Sequence, residues 1–179
     1  MCPRSASDSA AHIPVAERAY VKMSHKSPGA NFDPLKQTLS ISIEVRNSGR
    51  TPAAVTKVFF APVILPTDEA LPSLPQYETL PQPSSSATGY LHSGDHFYAN
   101  ATFPLPGSRI LGVSSGKLML YVVGYIDVFG GHHRGGYARV YDPALETGPV
   151  GKRNNLAFVT DRAYNYDRPR RKGEGDDWD

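Results

Sequence analysis

The residue types able to do chemistry gather at a few places in this chain. His92, Asp95 and His96 lie within five positions, Asp127 precedes the Gly130-Gly131 pair, and His132-His133 follow it. Imidazole and carboxylate together are the donor set of zinc and related metal sites. Their spacing here matches no ligand loop, and adjacent histidines on a turn point in different directions. The pattern argues against a metal, and no cofactor is expected. Asp127 sits at the end of an apolar run, where a carboxylate can serve as a general base or can accept backbone donors and hold a turn. A base needs a matching acid or nucleophile, and no Gly-x-Ser-x-Gly or comparable device is present. Turn anchoring is the favoured reading. No catalytic residue is assigned, and the chain is not expected to be an enzyme.

Arginines and tyrosines form two further candidate sets. Arg18, Arg46, Arg134 and Arg139 with Tyr20, Tyr137 and Tyr141 would make a basic and aromatic stripe of the kind that holds single strands. Such residues are more often an ordinary sheet surface with long stems over rings. A formal net charge of only +2 gives no field for nucleic acid, which is not expected as a partner. Tyr90, Tyr98, Tyr125, Tyr137 and Tyr141 are candidate stacking platforms for a small ligand or a carbohydrate. Asn100-Ala101-Thr102 has the form of a glycosylation acceptor but falls mid-strand.

The elements that must position these residues read as strands. Hydrophobic residues are 40% and charged residues 20% of the 179, as in a globular chain, and glycine and proline number 16 each. Such a chain turns often and leaves little room for long helices. From Gln37 to Arg46, Leu39, Ile41, Ile43 and Val45 alternate with polar residues, the period of a strand with one face in the core. Asn47, Gly49 and Pro52 end it, the first two as residues that tolerate positive φ and the third as a residue without a ladder donor. A third strand runs from about Ala54 to Leu65, with Pro62 predicting a bulge or an edge. His96–Phe103 alternates again. Lys117–Phe129 is apolar on both faces, which predicts a central strand whose outer face is covered. Gly130-Gly131 then turns the chain into an antiparallel partner from Arg134 to Tyr141. A first strand from Ala16 to Met23 and a short last strand within 157–166 complete about seven.

This pattern predicts an all-β, two-sheet antiparallel, immunoglobulin-like sandwich over 17–166. A small polar arm precedes it at 1–16, and a charged, disordered tail follows at 167–179. Ser27–Pro34 reads as a loop. The stretch 66–91, with five prolines and Ser84-Ser85-Ser86, reads as a long surface excursion with one helical turn near Asp68–Leu71. The single cysteine, Cys2, cannot form an intramolecular disulfide. No basic segment followed by an apolar run opens the chain, so no signal peptide is expected. No apolar stretch reaches the roughly 18 residues of a spanning helix.

Three landmarks occur in order: Ala16-Glu17-Arg18-Ala19-Tyr20-Val21, then Val45-Arg46-Asn47-Ser48-Gly49-Arg50-Thr51-Pro52-Ala53, then Val123-Gly124-Tyr125-Ile126-Asp127-Val128-Phe129-Gly130. Together they resemble a large group of uncharacterised proteobacterial proteins in which a membrane-anchoring N-terminal segment precedes a β-sandwich domain. The resemblance covers about residues 16–166 and carries no catalytic residue. It implies a bacterial, membrane-associated setting, although the apolar anchor is absent from this chain. The expected function is a non-catalytic protein-interaction or structural module with a protein partner, the excursion serving as contact surface. A small-ligand or carbohydrate-binding domain is the second reading.

Overall fold

The computed structural model describes residues 19–82, 88–128, 133–143, 145, 155–169 and 171. Their elements are β1 (Val21–Asp33), β2 (Thr38–Asn47), β3 (Ala53–Pro66), β4 (Gly89–Leu91), β5 (His96–Pro104), α1 (Gly107–Ser114), β6 (Leu118–Val128), β7 (His133–Tyr141), β8 (Leu156–Phe158) and β9 (Asp167–Pro169). The fold is all-β with two antiparallel sheets. The smaller has the order β1-β2-β5, and the larger runs β4-β3-β6-β7-β8, with β9 also pairing with β7. Nine strands are thus formed among the described residues, where about seven are expected from sequence.

The alternation in β2 produces the core. Leu39, Ile41, Ile43 and Val45 are buried, and opposite them β5 buries Ala99, Ala101 and Phe103. Cross-strand pairs in an antiparallel ladder share a face, so the polar partners meet on the other side, where Ser40 bonds to Thr102 at 3.1 Å and Ser42 to Asn100. The buried row faces Leu120 and Val122 of β6, both fully buried in the same cluster. Phe60 of β3 meets Phe103 of β5 edge-on across the sheets at 6.4 Å.

β6 is central in its sheet and apolar on both faces, and its outer face is covered by the 66–91 excursion. Tyr77 packs edge-on against Tyr125 at 4.9 Å and Phe59 at 5.8 Å, and its hydroxyl donates to the Gly124 carbonyl at 3.3 Å. Tyr164 is also buried and donates its hydroxyl to the Pro72 carbonyl at 2.9 Å. Part of the expected free loop is therefore a lid on the sheet. Its helical turn lies at Tyr77–Thr79 rather than at Asp68–Leu71, because Tyr77 supplies the ring that seals the apolar face. The excursion ends in β4, whose Leu91 is buried beside Ala53. Beyond Val55, β3 has β6 on one side and no strand among the described residues on the other, so Pro62 stands on an edge.

β1 differs from the expected strand and loop. It continues to Asp33, with a shift of register between His25 and Ala30 that absorbs Ser27-Pro28-Gly29 as an irregularity within the strand. Gly29 has φ +88°, and a Cβ there would lie 2.9 Å from Leu156 Cδ1, so only glycine fits. Asn155 holds this segment: its Nδ2 donates to the Ala30 carbonyl at 2.6 Å, and the Ala30 N–H donates to its Oδ1 at 3.0 Å. The side chain thereby copies a strand residue and links the smaller sheet to β8. The last expected strand is short, Leu156–Phe158, and the tail assigned from 167 onward first contributes β9, because Asp167, Arg168 and Pro169 pair with Gly135, Arg134 and His133. The expected arm at 1–16 lies outside the described residues.

A candidate binding cleft between β1 and β7

The sequence-predicted candidates do not assemble. Asp95 accepts the His92 backbone N–H at 3.0 Å and shapes the β4–β5 turn. His92 stacks edge-on with Tyr90 at 5.6 Å, and His96 with Tyr98 at 5.4 Å. His133 bonds to Asp167 of β9. Among the described residues no three His, Cys, Asp or Glu side chains come together as a metal site. His132 and Gly130 lie outside the described residues. The five candidate tyrosines are spread over both sheets. Tyr90 and Tyr98 are exposed, Tyr141 is half-buried against Phe32 at 5.2 Å, and Tyr125 and Tyr137 are in the core.

Asp127 bonds across the hairpin to a side chain, not to the backbone donors expected of it. It sits opposite Arg134 in the β6–β7 ladder. Arg134 Nε donates to Asp127 Oδ1 at 2.7 Å and Nη2 to Oδ2 at 2.8 Å. The guanidinium also lies 3.8 Å from the Tyr125 ring. Both side chains are almost fully buried, at 2% and 3% exposure. Burial alone would push the Arg134 pKa down, but the hydrogen bonds and charge of Asp127 outweigh it and raise it. A carboxylate with both oxygens committed to a buried arginine is structural, and it corrects the expectation of side-chain-to-backbone bonds.

Asn47 likewise works through its side chain. Neither it nor Gly49 is among the residues with positive φ. Its Oδ1 accepts the N–H groups of Tyr20 at 3.2 Å and Gly49 at 2.9 Å. Its Nδ2 donates to the carbonyls of Thr51 at 2.8 Å and Leu91 at 3.1 Å. Its backbone accepts from Gly94 and donates to Asp95. One fully buried amide thus ties the start of β1, the β2–β3 turn before Pro52, and the end of β4.

A concave feature lies where the open side of the sandwich meets that tie. A cleft of about 380 Å³ runs between β1 and β7, with Tyr20, Val21, Lys22 and Met23 on one wall and Arg139, Phe158, Asn165, Tyr166 and Asp167 on the other. Ile126 and Gly135 lie at its floor. Arg139 is held between the rings of Tyr137 and Phe158, 4.6 Å from each centroid. Its Nη1 donates to the Ala138 carbonyl at 2.6 Å and to Asn165 Oδ1 at 3.1 Å. Burial pushes its pKa down, with partial compensation from Tyr137. Lys22 Nζ lies 4.4 Å from the Tyr20 ring. Asn165 Oδ1 and the Tyr166 carbonyl also take the N–H groups of Ala138 and Gly136, so the edge of β7 between β8 and β9 is satisfied. Of the residues here, sequence reading marks Tyr20 and Arg139, as members of the basic and aromatic stripe. Phe158, Asn165 and Tyr166 carry no local signal and are brought in by the return of the chain along β7.

No family model matches the chain, and no curated protein matches it. Among solved structures it is similar to the ApaA protein from Bordetella pertussis at 17% identity and TM-score 0.33, covering 65% of this chain and 85% of that one. It is similar to the sporulation control protein Spo0M from Bacillus subtilis at 17% identity and TM-score 0.34, covering 63% of this chain and 44% of that one. A β-glucosidase from Kluyveromyces marxianus follows at 13% identity and TM-score 0.32, covering 61% of this chain and 12% of that one. Likenesses this distant carry no argument about function. No helix among the described residues is long and apolar enough to cross a membrane.

Proposed function

We propose that the chain is a non-catalytic, immunoglobulin-like interaction module of a bacterial envelope-associated protein, and that it binds a protein partner along the cleft beside β1. The cleft carries this reading, because it is bordered by a strand edge that pairs with no strand among the described residues. Sheet edges and the loops around them are the usual contact surfaces of sandwiches. The strand orders support the immunoglobulin-like part of the proposal. β1, β2 and β5 stand in the relation of strands A, B and E, and β3, β6 and β7 in that of C, F and G, with β4 attached to β3. The three ordered sequence landmarks support the proteobacterial, membrane-associated setting. The commitment of Asp127 to Arg134 favours a binding role over a catalytic one.

Small-ligand or carbohydrate binding remains as a second reading on one observation. The cleft has a volume within the range of ligand sites, although the tyrosines beside it are Tyr20 and Tyr166 rather than the five expected ones. A single pair of screens separates the two. The purified chain is challenged with a displayed library of random heptapeptides and with a glycan array. Recovery of a convergent peptide set supports the interaction module. Glycan binding without any peptide enrichment refutes it.

A further inference from the structure

The four consecutive residues Tyr20–Met23 all border the cleft. Successive side chains of a strand point to opposite faces, so a surface touched by all four is the edge of the strand. The hydrogen bonding agrees. The Asn47 N–H and carbonyl are taken by Asp95 and Gly94 on the far side of β2, while Tyr20 accepts from Ser48. Val21 opposite Asn47 is therefore a non-hydrogen-bonded pair, and Tyr20, Lys22 and Ser24 turn their backbone groups toward β2. Val21 and Met23 turn theirs outward, into the cleft. Farther along the same edge, Ala30 already accepts strand-like pairing from the Asn155 side chain. The edge is competent to pair and is unpaired at Val21 and Met23 among the described residues. Across from it stands one cation, Arg139, and a second, Lys22, lies on β1 itself. Arg139 has Nη1 satisfied within the protein, its Nε and Nη2 have no acceptor among the described residues, and exposed Lys22 flanks the entrance. The one carboxylate on the cleft wall, Asp167, is engaged by His133. Phe158 and Tyr20 are exposed apolar surface at its rim.

We propose that the cleft binds an extended peptide segment of a partner protein, which adds as a strand to the β1 edge at Val21 and Met23 and places an Asp or Glu side chain on Arg139. This deepens the interaction-module reading and rests on it. Backbone pairing gives a strand-adding site its affinity, and side-chain contacts at alternate positions give it its specificity. Here the specificity determinant is a cation held rigid between two rings, a geometry suited to a planar carboxylate.

The test uses the chain with the heptapeptides recovered from the display screen, synthesised with the acidic residue retained, with that residue changed to its amide, and with only a C-terminal carboxylate. Fluorescence anisotropy is expected to give at least about tenfold weaker binding for the amide form. Arg139→Gln should erase the difference between acid and amide, and Lys22→Gln, an exposed change that leaves the core untouched, should reduce it. Arg139→Lys keeps the charge if the glutamine variant does not fold. Amide hydrogen exchange on the wild-type chain supplies an independent readout, with the Val21 and Met23 N–H groups slowed on binding. Peptides that bind without an acid preference, that bind through the terminal carboxylate alone, or that protect the β5 edge instead overturn this inference while leaving the interaction module standing. Protection of Val21 and Met23 by self-association, seen as a concentration-dependent dimer that peptide does not dissolve, also overturns it. Failure to recover any peptide refutes the underlying reading itself.

Discussion

Replacing Asp127 by Asn removes the only charge that faces Arg134 within its buried bidentate pair. The amide keeps one acceptor oxygen but turns N–H groups toward a guanidinium that cannot give up its proton. Breaking a buried ion pair from one side costs about 3–5 kcal/mol, because the remaining charge stays desolvated. The guanidinium keeps its place 3.8 Å from the Tyr125 ring, an interaction of about 1–2 kcal/mol that survives the substitution. The expected loss is therefore at the low end, about 3 kcal/mol, or about 6–12 °C in thermal midpoint for a domain of this size. Arg134→Met should cost a similar amount at neutral pH and less in acid, since a stranded carboxyl can neutralise itself and a guanidinium cannot. The double variant Asp127→Leu with Arg134→Met replaces both charges by apolar groups and should lie within about 1 kcal/mol of wild type. Urea melts of wild type, Asp127→Leu, Arg134→Met and the double variant at neutral pH give the coupling energy, with Asp127→Asn read beside them. Additive losses, or an Asp127→Asn midpoint equal to wild type, would refute the claim that the pair acts as a unit.

Asn47→Ala should strand the N–H groups of Tyr20 and Gly49 and two carbonyls, and lower stability by about 3–5 kcal/mol in urea melts, more than a surface asparagine would. Gly124→Ala would set a Cβ 2.3 Å from the Phe59 carbonyl oxygen, and because that neighbour is backbone the cost belongs at the upper end of the 1–3 kcal/mol of overpacking, about 3 kcal/mol by the same assay. Burial, and secondarily the charge of Arg139, holds the His25 pKa below its usual 6.5, so the folded state binds fewer protons than the unfolded one. Stability from this group is present above the usual value and is lost as pH falls below it. The thermal midpoint should drop between pH 7.5 and 5.5, and His25→Gln should flatten part of that slope.

Elements with a strong period were legible in the sequence. β2 alternates over its whole length because one face is core and the other water, and β6 is apolar on both sides because a second layer covers it. That second layer was not legible. Tyr77 lies in a proline-rich stretch with no period, and its burial depends on the distant Phe59 and Tyr125. α1 was missed because Gly107-Ser108-Arg109-Ile110-Leu111-Gly112-Val113-Ser114 holds two glycines and two serines, which are weak helix formers, and only Ile110 and Val113 mark its buried side. Ser27-Pro28-Gly29 has loop composition and is held within a strand by Asn155, far away in sequence. Asp127 was marked as an anchor, but its partner follows from the hairpin register, which pairs residues 127 and 134 directly. The cleft was partly visible through Tyr20 and Arg139. Their convergence was not, since it needs the return of residues 158–167 along β7.

The amide of Asn155 bonds to Ala30 across 125 residues of chain. During synthesis at about 5–20 residues per second, that is a wait on the order of 6–25 s after Ala30 has been made. Throughout this interval the strand first made has no amide to complete its irregular stretch, and Gly29 has no Leu156 to close against. The first strand therefore cannot be finished first: its final geometry is set from the far end of the domain. Long-range closure of this kind slows folding, and a nascent chain halted before Asn155 would present an incomplete sheet margin to whatever lies beside it.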